Sequence, residues 1–181
     1  MEKRILRLAG IVKESIVDGF GFRLALFAQG CPHKCKGCHN PETHPYDGGT
    51  EYTVTQILDM AKANPLLDGL TLSGGEPFCQ ARVFGELAKE ARDRGLSIWT
   101  YTGYTWEELT IGPNIPSAKE AVALGCPEDV AILLNNTDVL IDGKFMEDKK
   151  DYRLRFRGSS NQRLINVKAS FISGAAVEIE E

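Results

Sequence analysis

The spacing of hydrophobic positions changes several times along the chain, and each change marks an element. Ile5, Leu6, Leu8, Ile11 and Val12 flank Gly10, and after the turn residues Asp18, Gly19 and Gly21 the run 22–28 is short and apolar. The opening therefore reads as a pair of strands. Val54, Ile57, Leu58 and Ala61 recur at helical spacing until Asn64 and Pro65 end the pattern, and 69–73 returns to a short strand. Val83, Phe84, Leu87, Ala88 and Ala91 share a second helical face closed by Gly95, after which 96–101 is strand-like. Further on, 139–141 reads as a buried strand. Residues 153–157 and 163–167 read as a hairpin turning through 158–162, a C-terminal hairpin over about 153–168. Between 111 and 136 the pattern is broken by Gly112, Pro113 and Pro116, with a short helix over 118–124. Alternating strands and helices predict an α/β fold with a parallel sheet, in one domain spanning 1–181 and with function at the carboxyl ends of the strands.

Composition narrows the function classes. The chain has 181 residues, 43% hydrophobic and 25% charged, which is enough to bury a core without disulfides or a structural metal. Its 21 Lys and Arg stand against 25 Asp and Glu, a net charge of -4, which argues against a nucleic-acid partner. Every apolar stretch is interrupted too soon to span a bilayer, and Arg7 and Lys13 break what would be the core of a signal peptide. A cytoplasmic protein without a membrane partner is expected.

The five cysteines carry the chemistry. Cys31, Cys35 and Cys38 lie in a long loop without periodicity, directly after the strand 22–28, while Cys79 and Cys126 stand apart. An odd count so distributed is not a disulfide framework and points to metal or redox chemistry. Three thiolates at this spacing can wrap three corners of a [4Fe-4S] cubane, leaving one iron open to a ligand, since such clusters ordinarily take four cysteines. Zinc is the competing reading, with His33, His39 or His44 completing a Cys3His set. Cys79 and Cys126 read as small buried residues, although Cys79 is near enough to the rim to be a fourth partner. Gly74, Gly75, Glu76 and Pro77 follow the next strand. Two glycines there let the backbone approach a ligand closely, and the carboxylate can accept from an ammonium group.

The three-cysteine spacing together with Gly74, Gly75, Glu76 and Pro77 resembles the radical S-adenosylmethionine enzymes. The likeness narrows through the segments 19–23, 27–33, 37–41, 101–109, 138–145 and 157–163, which resemble the activating proteins of anaerobic ribonucleoside-triphosphate reductase. It runs from about Gly10 to Val167 and falters over 111–136, which reads as an insertion. The resemblance implies an incomplete (open) parallel β/α barrel, because 181 residues are too few for eight complete units. It implies a [4Fe-4S] cluster on Cys31, Cys35 and Cys38 and S-adenosyl-L-methionine as cofactor. Gly37 and His39 would lie against the adenine, and Gly74, Gly75 and Glu76 would hold the methionine amino group. Asp142 and Lys144 would meet the cofactor carboxylate, its ribose or a cation. The implied reaction needs no catalytic side chain: a 5'-deoxyadenosyl radical takes hydrogen from a glycine of the reductase, with a low-potential electron donor as second partner. Ser160, Asn161 and Gln162 read either as a plain turn or as an exposed tip that contacts the partner. An activase of another glycyl radical enzyme, a short radical tailoring enzyme, and a non-catalytic zinc or iron-sulfur module remain as alternatives.

Overall fold

A computed structural model describes residues 4–110 and 123–180. Seven strands form one sheet: β1 (Ile5–Ser15), β2 (Arg23–Ala28), β3 (Thr50–Thr53), β4 (Gly69–Gly74), β5 (Ser97–Tyr101), β6 (Val139–Asp142) and β7 (Arg163–Asn166). Their order across the sheet is β3-β1-β2-β4-β5-β6-β7. The block β2-β4-β5-β6 is parallel, as the helix and strand alternation predicts. The flanks are antiparallel, so the sheet is mixed rather than all parallel. Residues 16–22 between β1 and β2 are too few for a crossover, which leaves only the antiparallel pairing for that join.

Among the described residues, the helices α1 (Val54–Lys62), α2 (Ala81–Arg92), α3 (Trp106–Thr110), α4 (Pro127–Asn135) and α5 (Val167–Ser173) accompany the sheet. Helix α1 opens on a capping box, in which Thr53 Oγ1 accepts from the Gln56 amide while Gln56 Oε1 accepts from the Thr53 amide. Helices α2 and α4 pack closely because Gly85 has no side chain: a Cβ there would sit 2.5 Å from Ile132 Cγ2.

Alternation along the strands sorts the two faces of the sheet. Leu24, Leu26, Leu70, Leu72, Ile98, Leu140 and Ile165 join the main core with the helices. Trp99, Ile141 and Leu164 form a smaller cluster on the opposite face, with Tyr101 and Phe156 against it. At the amino end of that face Arg23 is buried, donating to the Leu70 and Ser97 carbonyls at 2.6 and 2.9 Å; burial lowers its pKa to about 10.

One expectation changes. The hairpin over 153–168 does not form: residues 152–157 make turns, and Arg163–Asn166 pairs with β6 instead. The alternation of Tyr152, Leu154 and Phe156 with Arg153, Arg155 and Arg157 looks strand-like, but Phe156 takes a left-handed φ of 58° that no strand accommodates. The helix expected over 118–124 lies mostly outside the described residues, as does the first part of the segment 111–136; its later part is α4. No helix among the described residues is long and apolar enough to cross a membrane.

Candidate cofactor site at the carboxyl ends of the strands

Strand β2 delivers the cysteine loop. At its end Gly30 takes a φ of 97°, its amide donates to Thr43 O at 2.8 Å, and the Cys31 amide donates to His44 O at 3.1 Å. Gln29 Nε2 donates to the Glu42 and Pro45 carbonyls at 3.2 and 2.6 Å, so the loop is fastened at its base by a side chain as well as by backbone. Within it, Lys34 and Gly37 adopt left-handed φ values of 49° and 73°, and the Cys38 amide donates to Cys35 O at 3.2 Å. These turns fold Cys31, Cys35 and Cys38 onto the wall of one cavity of about 610 Å³, shared with His39, Gly74 and Gly75. Parallel pairing of β2 with β4 sets Ala28 beside Gly74 and so brings both segments to the same rim.

All three thiols are free, and Cys31 is buried. Burial, reinforced by the neighbouring Glu76, pushes the Cys31 thiol up to about 12. Burial also raises Cys35, against the opposing influence of the Phe145 amide and the Lys144 charge. Thiolates in such a place need a cationic occupant to stay ionised, which an iron-sulfur cluster provides. His44 also lines this wall, and its Nε2 is buried without a hydrogen-bond partner. The donor set and its setting fit a cluster.

Other expected site residues divide. Gly74 and Gly75 face the cavity and are required by packing too: a Cβ on Gly74 would lie 2.5 Å from Phe27 Cα, and one on Gly75 would overlap the Gly30 carbonyl. Their segment is tied to the cysteine loop by Gly75 N to Ala28 O at 2.8 Å and Glu76 N to Gly30 O at 2.9 Å. His39 lies on the wall with its ring 5.1 Å from that of Phe145, whereas Gly37 is set back, facing Glu147.

Glu76 does not face the cavity; it is fully buried beneath it. Nor does Asp142, which shares parity with Leu140 and so points to the helix side of the sheet. There it accepts from the Trp106 amide at 2.7 Å and from Arg163 at 3.0 and 2.5 Å. Lys144 is off the cavity wall, although its charge is felt at Cys35. The expected exposed tip at 160–162 is a clamp in the structure. Gln162 accepts from the Gly158 and Ser159 amides at 2.9 and 3.2 Å and donates to Gly143 O at 3.0 Å, while Asn161 donates to Lys144 O at 2.8 Å. Of the three, Ser160 alone is exposed.

The sequence reading missed the far wall. Asp18 and Tyr101 line the cavity, as does the segment 150–158 that crosses the face of the sheet. Phe20, Trp99 and Phe156 meet edge to face with centroids 5.0 to 5.3 Å apart, and Arg155 lies over Phe20 and Phe156. The signal that was available is the cation and aromatic alternation of 152–157, taken above for a strand.

Residues 17–165 match a family model described as a 4Fe-4S single cluster domain, which places the chain among iron-sulfur proteins. It is 35% identical over 155 residues to the anaerobic ribonucleoside-triphosphate reductase-activating protein of Vibrio cholerae serotype O1, covering 81% of this chain and 89% of that one. The protein of that name from Escherichia coli K12 is 36% identical, covering 81% and 90%, and that of Enterobacteria phage T4 is 34% identical, covering 82% and 86%. The chain belongs to the family of anaerobic ribonucleoside-triphosphate reductase-activating proteins. Among solved structures, QueE from Escherichia coli superposes with a TM-score of 0.48 at 14% identity, covering 76% of this chain and 70% of that one.

Proposed function

We propose that this chain is a single-domain activase that generates the glycyl radical of an anaerobic ribonucleoside-triphosphate reductase, using a [4Fe-4S] cluster and S-adenosyl-L-methionine. The observation that carries this is the meeting of the loop bearing Cys31, Cys35 and Cys38 with Gly74 and Gly75 on one cavity wall. Cluster and cofactor, when bound, supply reductive cleavage of the sulfonium to methionine and a 5'-deoxyadenosyl radical that takes a hydrogen atom from a glycine Cα of the reductase. Cys31, Cys35 and Cys38 hold the iron, and the backbone of Gly74 and Gly75 receives the methionine end. His39 and Phe145 border the adenine, and the burial around Cys31 keeps water from the reacting centre. No side chain acts as a general base. The electron comes from a low-potential donor.

In this reading the sheet curls as an open barrel whose uncovered side admits the reductase. Ile16, Val17 and Tyr152 are exposed at the cavity mouth. Residues 149–157 carry five cations, Lys149, Lys150, Arg153, Arg155 and Arg157, against Asp151 alone, in a chain of net charge -4. An apolar rim studded with cations suits a docked polypeptide whose own surface is acidic.

The test is anaerobic reconstitution with iron and sulfide, reduction, and chromatographic assay of 5'-deoxyadenosine, with electron paramagnetic resonance of added reductase for the glycyl radical. Both signals are expected, and both disappear in Cys35→Ala. A chain that retains zinc and builds no cluster, or a loaded chain that gives neither product with reductase present, overturns the proposal.

A further inference from the structure

Three sequence motifs converge on one carboxylate. Glu76 receives the Phe78 amide at 3.1 Å, the Thr102 hydroxyl at 2.9 and 3.0 Å, the Gly103 amide at 2.9 Å and His33 Nε2 at 2.8 Å. A carboxylate has about four acceptor positions, and each here meets a donor from the protein. An ammonium group could bind only by displacing one of them, and Glu76 has no exposed surface through which to do so.

His33 sits between Cys31 and Cys35, with its side chain 2% exposed. Its ring meets Tyr104 edge to face at 4.5 Å. Gly103 makes room for it, since a Cβ at that position would overlap the imidazole. The arc of loop between two thiols is thus pinned through one imidazole to the ends of β4 and β5.

We infer that Glu76 and His33 are a positioning pair, in which the buried carboxylate fixes the cysteine loop through His33 instead of holding the cofactor's amino group. This deepens the proposed function and rests on it. The pair sets where Cys31 and Cys35 stand relative to Gly74 and Gly75, so its loss loosens the cluster without removing the surface that receives S-adenosylmethionine. A half-satisfied buried network is costly, which gives the imidazole little freedom to leave.

The experiment uses the anaerobically reconstituted full chain and follows iron release to a ferrous chelator. Melting of the metal-free chain and the S-adenosylmethionine-induced change in the paramagnetic resonance spectrum of the reduced cluster are measured alongside. His33→Ala is expected to speed iron release at least tenfold, and His33→Gln, which retains a donor, to restore most of the wild-type rate. Gly103→Ala keeps every hydrogen-bonding group and only displaces the ring. It is expected to speed release as well, and it serves if His33→Ala fails to fold. Glu76→Gln with His33→Ala together should release iron no faster than the more severe single variant. The spectral change on adding S-adenosylmethionine persists in Glu76→Gln. Loss of that change with wild-type iron release, or wild-type release in both His33→Ala and Gly103→Ala, overturns the pairing. A wild-type chain that loads normally while the variants behave in this contrary way overturns the pairing alone, whereas a wild-type chain that builds no four-iron cluster overturns the proposed function and this inference with it.

Discussion

Replacing Asp142 separates two roles that a motif leaves entangled. Its side chain is buried, with 1% exposure, and holds three interactions: the Trp106 amide at the start of α3 and two bonds from the Arg163 guanidinium. Truncating one member of a buried, hydrogen-bonded ion pair costs about 3 to 5 kcal/mol, chiefly through the charge left behind. Here the low end applies, because the Arg163 side chain is 26% exposed and retains Glu107 at 2.8 Å. Asp142→Ala should therefore destabilise the chain by about 3 kcal/mol, and at roughly 2 to 4 °C per kcal/mol for a domain of this size the metal-free protein should melt about 6 to 12 °C lower. Asp142→Asn, which retains an acceptor for the Trp106 amide, should fall between. The assay pairs thermal unfolding by circular dichroism with S-adenosylmethionine binding by the reconstituted chain at a temperature where both proteins are folded. Affinity should match the wild type. An unchanged melting temperature with abolished cofactor binding would refute the reasoning and put the carboxylate back at the cofactor.

Other consequences are as direct. Burial, then Glu76, raises the Cys79 thiol, whereas Cys126, expected to be buried, is exposed at the start of α4; in the folded metal-free chain at pH 8 Cys126 should therefore be alkylated well before Cys79, with the difference abolished in denaturant, and mass spectrometry reads the order. The Arg163 guanidinium depresses Glu107 below the ordinary carboxylate range. A depressed folded-state value means that this contribution is complete above the ordinary carboxylate pKa and is lost as pH falls through the lowered one; Glu107→Gln should flatten the acid side of a urea-midpoint profile, and an unaltered slope counts against it. Gly85→Ala, ordinarily a gain of about 0.5 to 1 kcal/mol inside a helix, should instead destabilise by about 1 kcal/mol or more, because its Cβ meets Ile132 on α4; a raised melting temperature would contradict the packing. Lys149→Glu with Arg153→Glu should raise the KM for reductase at least tenfold and weaken its salt dependence, while 5'-deoxyadenosine formation without reductase is unaffected; an unchanged KM would remove the cationic rim from docking.

Much of the framework was legible because burial leaves a period. The helix at Val54–Lys62 and the strand at Gly69–Gly74 announce themselves through apolar spacing and breakers, and the cysteine spacing needs no fold to be read. Edge strand β3 was missed: Thr50–Thr53 is half-buried or exposed throughout and has no apolar stripe. The stretch 152–157 failed for the opposite reason. Its alternation is not the burial pattern of a pleated strand: Phe156 packs on the sheet face while Tyr152, Arg153 and Arg155 are all exposed, and no described strand lies beside it to pair with.

Parity decides which way Asp142 points. Leu140 and Ile165 face the helices, so Asp142 and Arg163, two residues along on each strand, must face them too, away from the face that carries the cavity. This much was derivable from the alternation alone. Glu76 was not, because it lies past Gly74 at a φ of 93°, where the strand period ends, and its partners come from two separate segments. The identity of its neighbours is fixed only by β2, β4 and β5 lying parallel and adjacent, which gathers His33, Glu76 and Thr102 at successive strand ends. A glutamate after two glycines reads as a ligand-binding group until those ends are brought together; then its four donors show a carboxylate fully engaged within the protein, while the two glycines before it line the cavity.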